Sequence, residues 1–179
     1  IGHFLSQGRK YYRRYIRYQD EARAGEWSAF TERAIFGQMS TGSYSNADLV
    51  ANYEGYLFYR SLFEDNVIPG KPSILKWSEG QWQVQRPFDW ADHVNEYWDE
   101  ALNINHYDSW LYSHMKDRLM TFCSDFHQAP GRYDIYQEQE LAQRYADLQL
   151  RDTSELRLSN LCVSEGSGES SVATTSTRP

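Results

Sequence analysis

Glu32, His3, Asp48 and Asn52 are the residues of this chain whose types and order point to chemistry. Glu32 falls near the inward face of a helix predicted over residues 27–39, beside the Phe30–Ala34 edge. A carboxyl group with one apolar side holds its proton to higher pH, and can then act as a general acid near neutrality. His3, Asp48 and Asn52 are expected to surround it in a cleft between the first three helices. The competing expectation is structural, with Glu32 paired to Arg33, Arg60 or an arginine of the first helix.

Three predicted helices must position these groups. The first spans residues 3–24, with Phe4, Leu5, Gly8, Tyr11, Tyr12, Tyr15 and Ile16 on its apolar face. Gly25 ends it, and residues 27–39 follow with Phe30, Ala34, Ile35 and Met39 inward. Thr41-Gly42-Ser43 is a turn, and the third helix spans residues 45–64. Ser45 and Asp48 have the spacing of a reciprocal capping box. Leu49, Tyr53, Tyr56, Leu57 and Arg60 share a face, which Phe63 completes, and Asp48, Asn52, Tyr56 and Arg60 form a polar seam beside it. Gly55 costs this helix about 1 kcal/mol against alanine, so close approach of another backbone is expected there.

The period then changes. Residues 66–72 form a loop around Pro69-Gly70, and Ser73–Trp77 and Gln81–Arg86 read as a hairpin bearing Trp77 and Trp82. Two strands alone are marginal, so the hairpin is expected to pack on helices. Asp89 can cap a helix through about Leu102. Further helices are predicted over residues 108–126, with Leu111, Met115, Leu119, Phe122 and Phe126 inward, and over 134–150, with Leu141, Tyr145 and Leu148 inward. The expected fold is mainly α: a compact bundle of five to six helices with a small two-stranded insertion at about 73–86. Residues 1–162 form one domain, and 163–179, rich in Ser, Thr and Gly, form a flexible tail.

Composition narrows the function classes. Aromatic residues make up 16% of the 179, with 14 Tyr and 6 Trp. Buried Tyr and Trp need polar partners, so a ring-rich core laced with hydrogen bonds is expected. The formal charge of −7 argues against a general nucleic-acid binder, and no run is long and apolar enough to be a transmembrane segment. The first helix is the exception in charge, since Arg9, Lys10, Arg13, Arg14 and Arg17 crowd among tyrosines. They suit either an RNA or phospholipid surface, or a solvated face whose stems cover rings. The chain opens at Ile1 without a methionine, as expected of a processed product or part of a longer protein. Cys123 and Cys162 are two buried thiols or, in an oxidising compartment, a disulfide.

Residues 42–63 resemble a block in an uncharacterised family of bacterial proteins, many of them envelope proteins or lipoproteins. In that family a Glu-bearing helix is followed by Ser-Ala-Phe-Ser-x-x-Asp-Leu-x-x-Asn-x-x-Gly. Tyr44, Ser45, Asp48, Leu49, Asn52 and Gly55 fall on the pattern, Glu32 matches the preceding Glu, and Gly2-His3 resembles an earlier His-bearing segment. The resemblance covers residues 1–63 and implies a periplasmic or envelope-associated location. Thr31 stands where the family has a His, so no His–Glu metal arrangement is expected. The acidic residue, set among aromatic walls, also resembles the logic of muramidases and lytic transglycosylases. Gly37-Gln38-Met39 and Asn52-Tyr53-Glu54-Gly55-Tyr56 echo that group, although Glu32 lies closer to Gly37 than in those enzymes.

In residues 89–100, Asp89 and His93, Asp92 and Glu96, and Glu96 and Glu100 are each four apart. On a helix such pairs share a face and can hold a divalent ion, but none repeats a known ligand spacing and a solvent face is the expectation. No P-loop, dinucleotide or GxSxG motif occurs, so no cofactor is expected. Two classes remain: an envelope hydrolase acting on peptidoglycan or a related glycan through Glu32, and a non-catalytic module docking an unknown protein partner or glycan by its aromatic surface or tail.

Overall fold

A computed structural model describes residues 1–20 and 41–163. The expected helix over 27–39, Glu32 with it, and the tail from residue 164 lie outside the described residues. What is described is mainly α, with six α-helices and two small antiparallel two-stranded sheets.

The chain starts with a π-helical turn, His3–Gln7, that runs straight into α1, Gly8–Tyr18. Gln19 adopts a left-handed conformation (φ 52°) and closes the helix by donating its N–H to the Tyr15 carbonyl. The apolar pattern predicts this helix to residue 24, and the left-handed Gln19 ends it earlier. A two-residue strand β1, Ser43–Tyr44, then leads into α2, Asn46–Ser61. Ser45 caps α2 by accepting from the Asp48 N–H at 3.1 Å. The Asp48 carboxylate turns to His3 rather than back to Ser45, so one arm of the capping box forms.

α2 is the centre of the molecule. Asn46, Leu49, Val50, Asn52, Glu54, Gly55, Tyr56 and Leu57 are all buried, which covers every side of the helix. That is the pattern of a core helix rather than of a one-faced surface helix. Against it lies the N-terminal helix, at a crossing made of two glycines. A Cβ on Gly55 would fall well inside 3.0 Å of the Phe4 carbonyl, and one on Gly8 well inside 3.0 Å of the Gly55 backbone. The expected close approach at Gly55 is thus backbone on backbone.

β2, Leu75–Ser78, and β3, Gln81–Val84, form the hairpin, with Trp77 opposite Trp82. Glu79 and Gly80 both take positive φ (53° and 77°), as a tight turn that follows the strand twist requires. The hairpin is fastened mainly at its base. Ile74 and Leu75 donate to the Ser61 and Leu62 carbonyls, and Phe63 meets Trp82 edge-on at 5.3 Å. Both tryptophans remain more than half exposed.

The helix expected from Asp89 to Leu102 is replaced by two 3-10 turns, Trp90–Asp92 and Glu96–Trp98. Asp89, Asn95 and Asp99 explain this, because each turns its side-chain oxygen onto the N–H two residues ahead. Such turns compete with helix continuation. The chain next returns to β1 through β4, His106–Tyr107, which pairs Tyr107 with Ser43 and His106 with Tyr44. This second sheet has no counterpart in the sequence pattern. Its partner is locked by Asn46, whose amide bonds the Ile104 carbonyl and both backbone groups of Arg151.

The remainder is short helices: α3, Ser109–Met120; α4, Cys123–Gln128; α5, Glu138–Arg144; and α6, Leu158–Leu161. A break at Thr121–Phe122 divides what the sequence presented as one helix, and leaves Phe122 exposed while Phe126 is buried. Leu141, Tyr145 and Leu148 point inward as expected and pack on Val50 and Tyr97. Cys123 and Cys162 form a disulfide inside a cluster with Phe126, Leu158 and Leu161.

The glycine crossing yields a stability prediction. Gly55→Ala raises helix propensity by about 1 kcal/mol yet forces the helices apart, with an expected net loss of about 3 kcal/mol in urea denaturation. Gly2→Ala meets nothing within 4 Å and should be nearly neutral.

Candidate functional site

Three of the four residues singled out by the sequence come together on the α1 side of α2. Asn52 is fully buried and donates its amide N–H to the Tyr11 hydroxyl at 3.0 Å. That bond fixes the amide, so its Oδ1 faces the His3 ring, 3.1 Å from Nδ1. Nδ1 is thereby engaged by the amide, which leaves Nε2 for a second partner. It lies 3.5 Å from the Asp48 carboxylate. The side chains of His3 and Asp48 are 38% and 32% exposed, so water reaches this pair while Asn52 and Tyr11 behind it stay dry. The result is an imidazole oriented from below by a buried amide and faced by a carboxylate at the surface. Glu32, the fourth residue, lies outside the described residues.

Tyr56 and Arg60 continue the polar seam. Arg60 binds Glu64 at 2.8 Å, donates to the Tyr56 hydroxyl at 3.0 Å, and stacks over the Tyr15 ring at 4.6 Å. Burial, the largest single influence, would lower the pKa of this guanidinium; the hydrogen bonds and charges of Glu64 and Tyr56 together outweigh it and hold the group above its ordinary value. Arg60 thus has a structural carboxylate of its own.

A second polar cluster occupies the opposite side of α2 and was not foreseen. Glu54 is completely buried. Its Oε1 accepts from the Tyr145 hydroxyl at 2.7 Å and pairs with Arg144 at 2.6 Å, while Oε2 accepts from His93 Nδ1 at 3.0 Å. Asn95 donates to the Tyr145 oxygen at 2.6 Å. Phe4, Phe58 and Phe88 wall in His93, with Phe88 stacked on it at 6.0 Å. Burial, and then the charge of Glu54, push the Tyr145 phenol well above its usual range. With Glu54, His93 and Tyr145 sealed from water, this cluster ties three chain segments together and offers no place to a substrate. The available signal was a glutamate inside an otherwise apolar stretch of α2. It was hidden because its partners lie 39 and 91 residues away.

The acidic pairs of residues 89–100 do not share a helical face, since no helix forms there. Asp92 pairs with Lys71 and Arg86, Asp89 caps a turn, His93 serves Glu54, and Glu100 accepts from Ser45 at 3.4 Å. Among the described residues no group of three His, Cys, Asp or Glu is placed to hold a metal ion. His114 and His127 are exposed on α3 and α4.

Comparison of the chain with protein-family models, with curated proteins and with solved structures found no match.

Glu54→Gln removes the charge that Arg144 and His93 share, and about 3 kcal/mol of stability is expected to go with it in chemical denaturation. Tyr145 gives a pH signature. Its phenol is raised in the folded state, so the unfolded chain releases this proton first as pH passes about 10. Stability from this group is whole below that pH and falls above it, and Tyr145→Phe should flatten the alkaline limb of a Tm-against-pH curve.

Proposed function

We propose that the protein is an exported hydrolase of the bacterial envelope, acting on peptidoglycan or a related glycan. Glu32 is its general acid/base, and His3, Asp48 and Asn52 arrange and recharge it. The observation that supports this reading is the convergence of His3, Asp48 and Asn52, from two distant segments, into one oriented and water-accessible group. In this mechanism Glu32 protonates the glycosidic oxygen as its bond to the anomeric carbon breaks, and water completes the cleavage. The attacking water gives up a proton as it adds to the anomeric carbon, and the His3–Asp48 pair takes that proton and returns it to Glu32. The Cys123–Cys162 disulfide is consistent with an oxidising compartment, and no described helix is long and apolar enough to cross a membrane.

A second reading, a non-catalytic docking module, is favoured by one feature. Phe63, Trp82 and Trp77 form an exposed ladder of rings that would stack on a sugar or a partner protein without chemistry.

Purified sacculi separate the two. Wild type is expected to release soluble fragments, Glu32→Gln to release them at least about 100-fold more slowly, and His3→Ala to fall between. Equal release by wild type and Glu32→Gln removes the catalytic assignment. Binding without release, lost on Trp77→Ala/Trp82→Ala, establishes the module instead.

A further inference from the structure

α1 has a second face that the hydrolase reading does not use. Phe4, Gly8 and Tyr11 are spent on α2. On the outer side Arg9, Arg13 and Arg17 step by four and form one exposed line along the helix. Exposed aliphatic side chains, Leu5 and Ile16, run beside that line, at 43% and 49% exposure. Two shallow clefts open along it. One, of about 390 Å³, is lined by Leu5, Ser6, Arg9, Lys10, Arg13 and Tyr59. The other, of about 250 Å³, is lined by Lys10, Arg13, Arg14, Arg17 and Tyr18. Among the described residues no carboxylate lines either cleft.

The contrast with the rest of the molecule is sharp. Arg60, Arg86, Arg144 and Arg157 each engage a carboxylate. Among the described residues none pairs with Arg9, Arg13 or Arg17. Residues 1–20 carry five cations and one acid, in a chain whose total charge is −7. Arg9, Arg13 and Arg17 thus gather positive charge on one helix face, with no carboxylate against them among the described residues.

We propose that this face of α1 docks on an anionic phospholipid bilayer, the arginines meeting phosphates while Leu5 and Ile16 enter the headgroup–acyl boundary. An interfacial helix needs this pairing of a cationic line with an adjoining apolar one. Tyr18, exposed at the far end, suits the same depth. A nucleic acid fits less well. Exposed aliphatic groups add nothing to phosphate contacts, and a long polyanion would meet the acidic remainder of the chain, whereas a flat bilayer touches one face. The inference is independent of the catalytic assignment.

Co-sedimentation of the full chain with vesicles tests it. Binding is expected to vesicles of equal phosphatidylcholine and phosphatidylglycerol, to weaken with salt, and to be absent with phosphatidylcholine alone. Each arginine should contribute roughly fivefold, so Arg9→Gln/Arg13→Gln/Arg17→Gln should bind roughly a hundredfold more weakly. Lys76→Gln/Arg118→Gln/Arg132→Gln, with the same change in net charge, should bind as wild type. Leu5→Ser/Ile16→Ser should weaken binding while keeping its salt dependence. Glu32→Gln should bind normally, which separates this proposal from the catalytic one. No binding to either vesicle, equal binding to both, or equal loss in the two triple variants overturns it. Tighter binding of single-stranded RNA than of the anionic vesicles reassigns the face and overturns it too.

Discussion

The structure depends on the absence of two side chains. At Gly8 and Gly55 the N-terminal helix and α2 touch through their backbones, with the Phe4 carbonyl against the α-carbon of Gly55. This contact sets everything else the first twenty residues do. It brings His3 over Asp48 and Asn52, sinks Phe4 among Phe58, Trp90, His93 and Trp98, and commits the line of Arg9, Arg13 and Arg17 to the outside. The π-helical turn belongs to the same arrangement. Its wider winding places His3 and Phe4 on the side facing α2, and such turns recur where a helix must present particular groups.

α2 supports opposed polar networks across one helical diameter. Asn52 serves the wet side through Tyr11 and His3, and Glu54 serves the dry side through Tyr145, Arg144 and His93. Buried polar groups raise stability only when every member is satisfied. Here Asn46, Asn52 and Glu54 each have several partners, drawn from segments far apart in the chain. Phenol and amide hydrogen bonds thus set the register of a core that is rich in rings, as the abundance of tyrosine implied. Register matters, because aromatic rings pack acceptably in many ways while hydrogen bonds do not.

What the sequence revealed follows from range. Local rules read well: the Ser45 cap, the turn at Glu79-Gly80, and the inward set Leu141, Tyr145 and Leu148 all rest on neighbours within one helical turn or one hairpin. Gly55 was legible as a point of contact because nothing else explains a glycine in mid-helix. The stretch after Asp89 misled, since its four-residue spacings imitate a helix while Asp89, Asn95 and Asp99 each divert the backbone into a tighter turn. The pairing of Ser43–Tyr44 with His106–Tyr107 left no pattern, because two residues cannot display an alternation. Of the candidate site, Asp48 and Asn52 were legible as one seam by helical spacing, while His3 was singled out by the resemblance of its segment and by the expected cleft between the first helices. The Glu54 cluster needed partners from the far half of the chain, which spacing cannot supply.

The bridge between Cys123 and Cys162 has a consequence for the molecule's covalent history. It joins points 39 residues apart, enclosing α4, α5 and α6 in one loop. A protease that nicks the backbone anywhere within that loop, at the exposed turns around Gly131 for instance, produces two peptides that stay chained together. Pieces cut outside it are joined by no such bond among the described residues and separate once the chain unfolds. The far half of the chain is thereby built to survive damage as a single piece, while the N-terminal helix is held against α2 by the glycine crossing and the hydrogen bonds of His3 and Tyr11, with no covalent cross-link among the described residues.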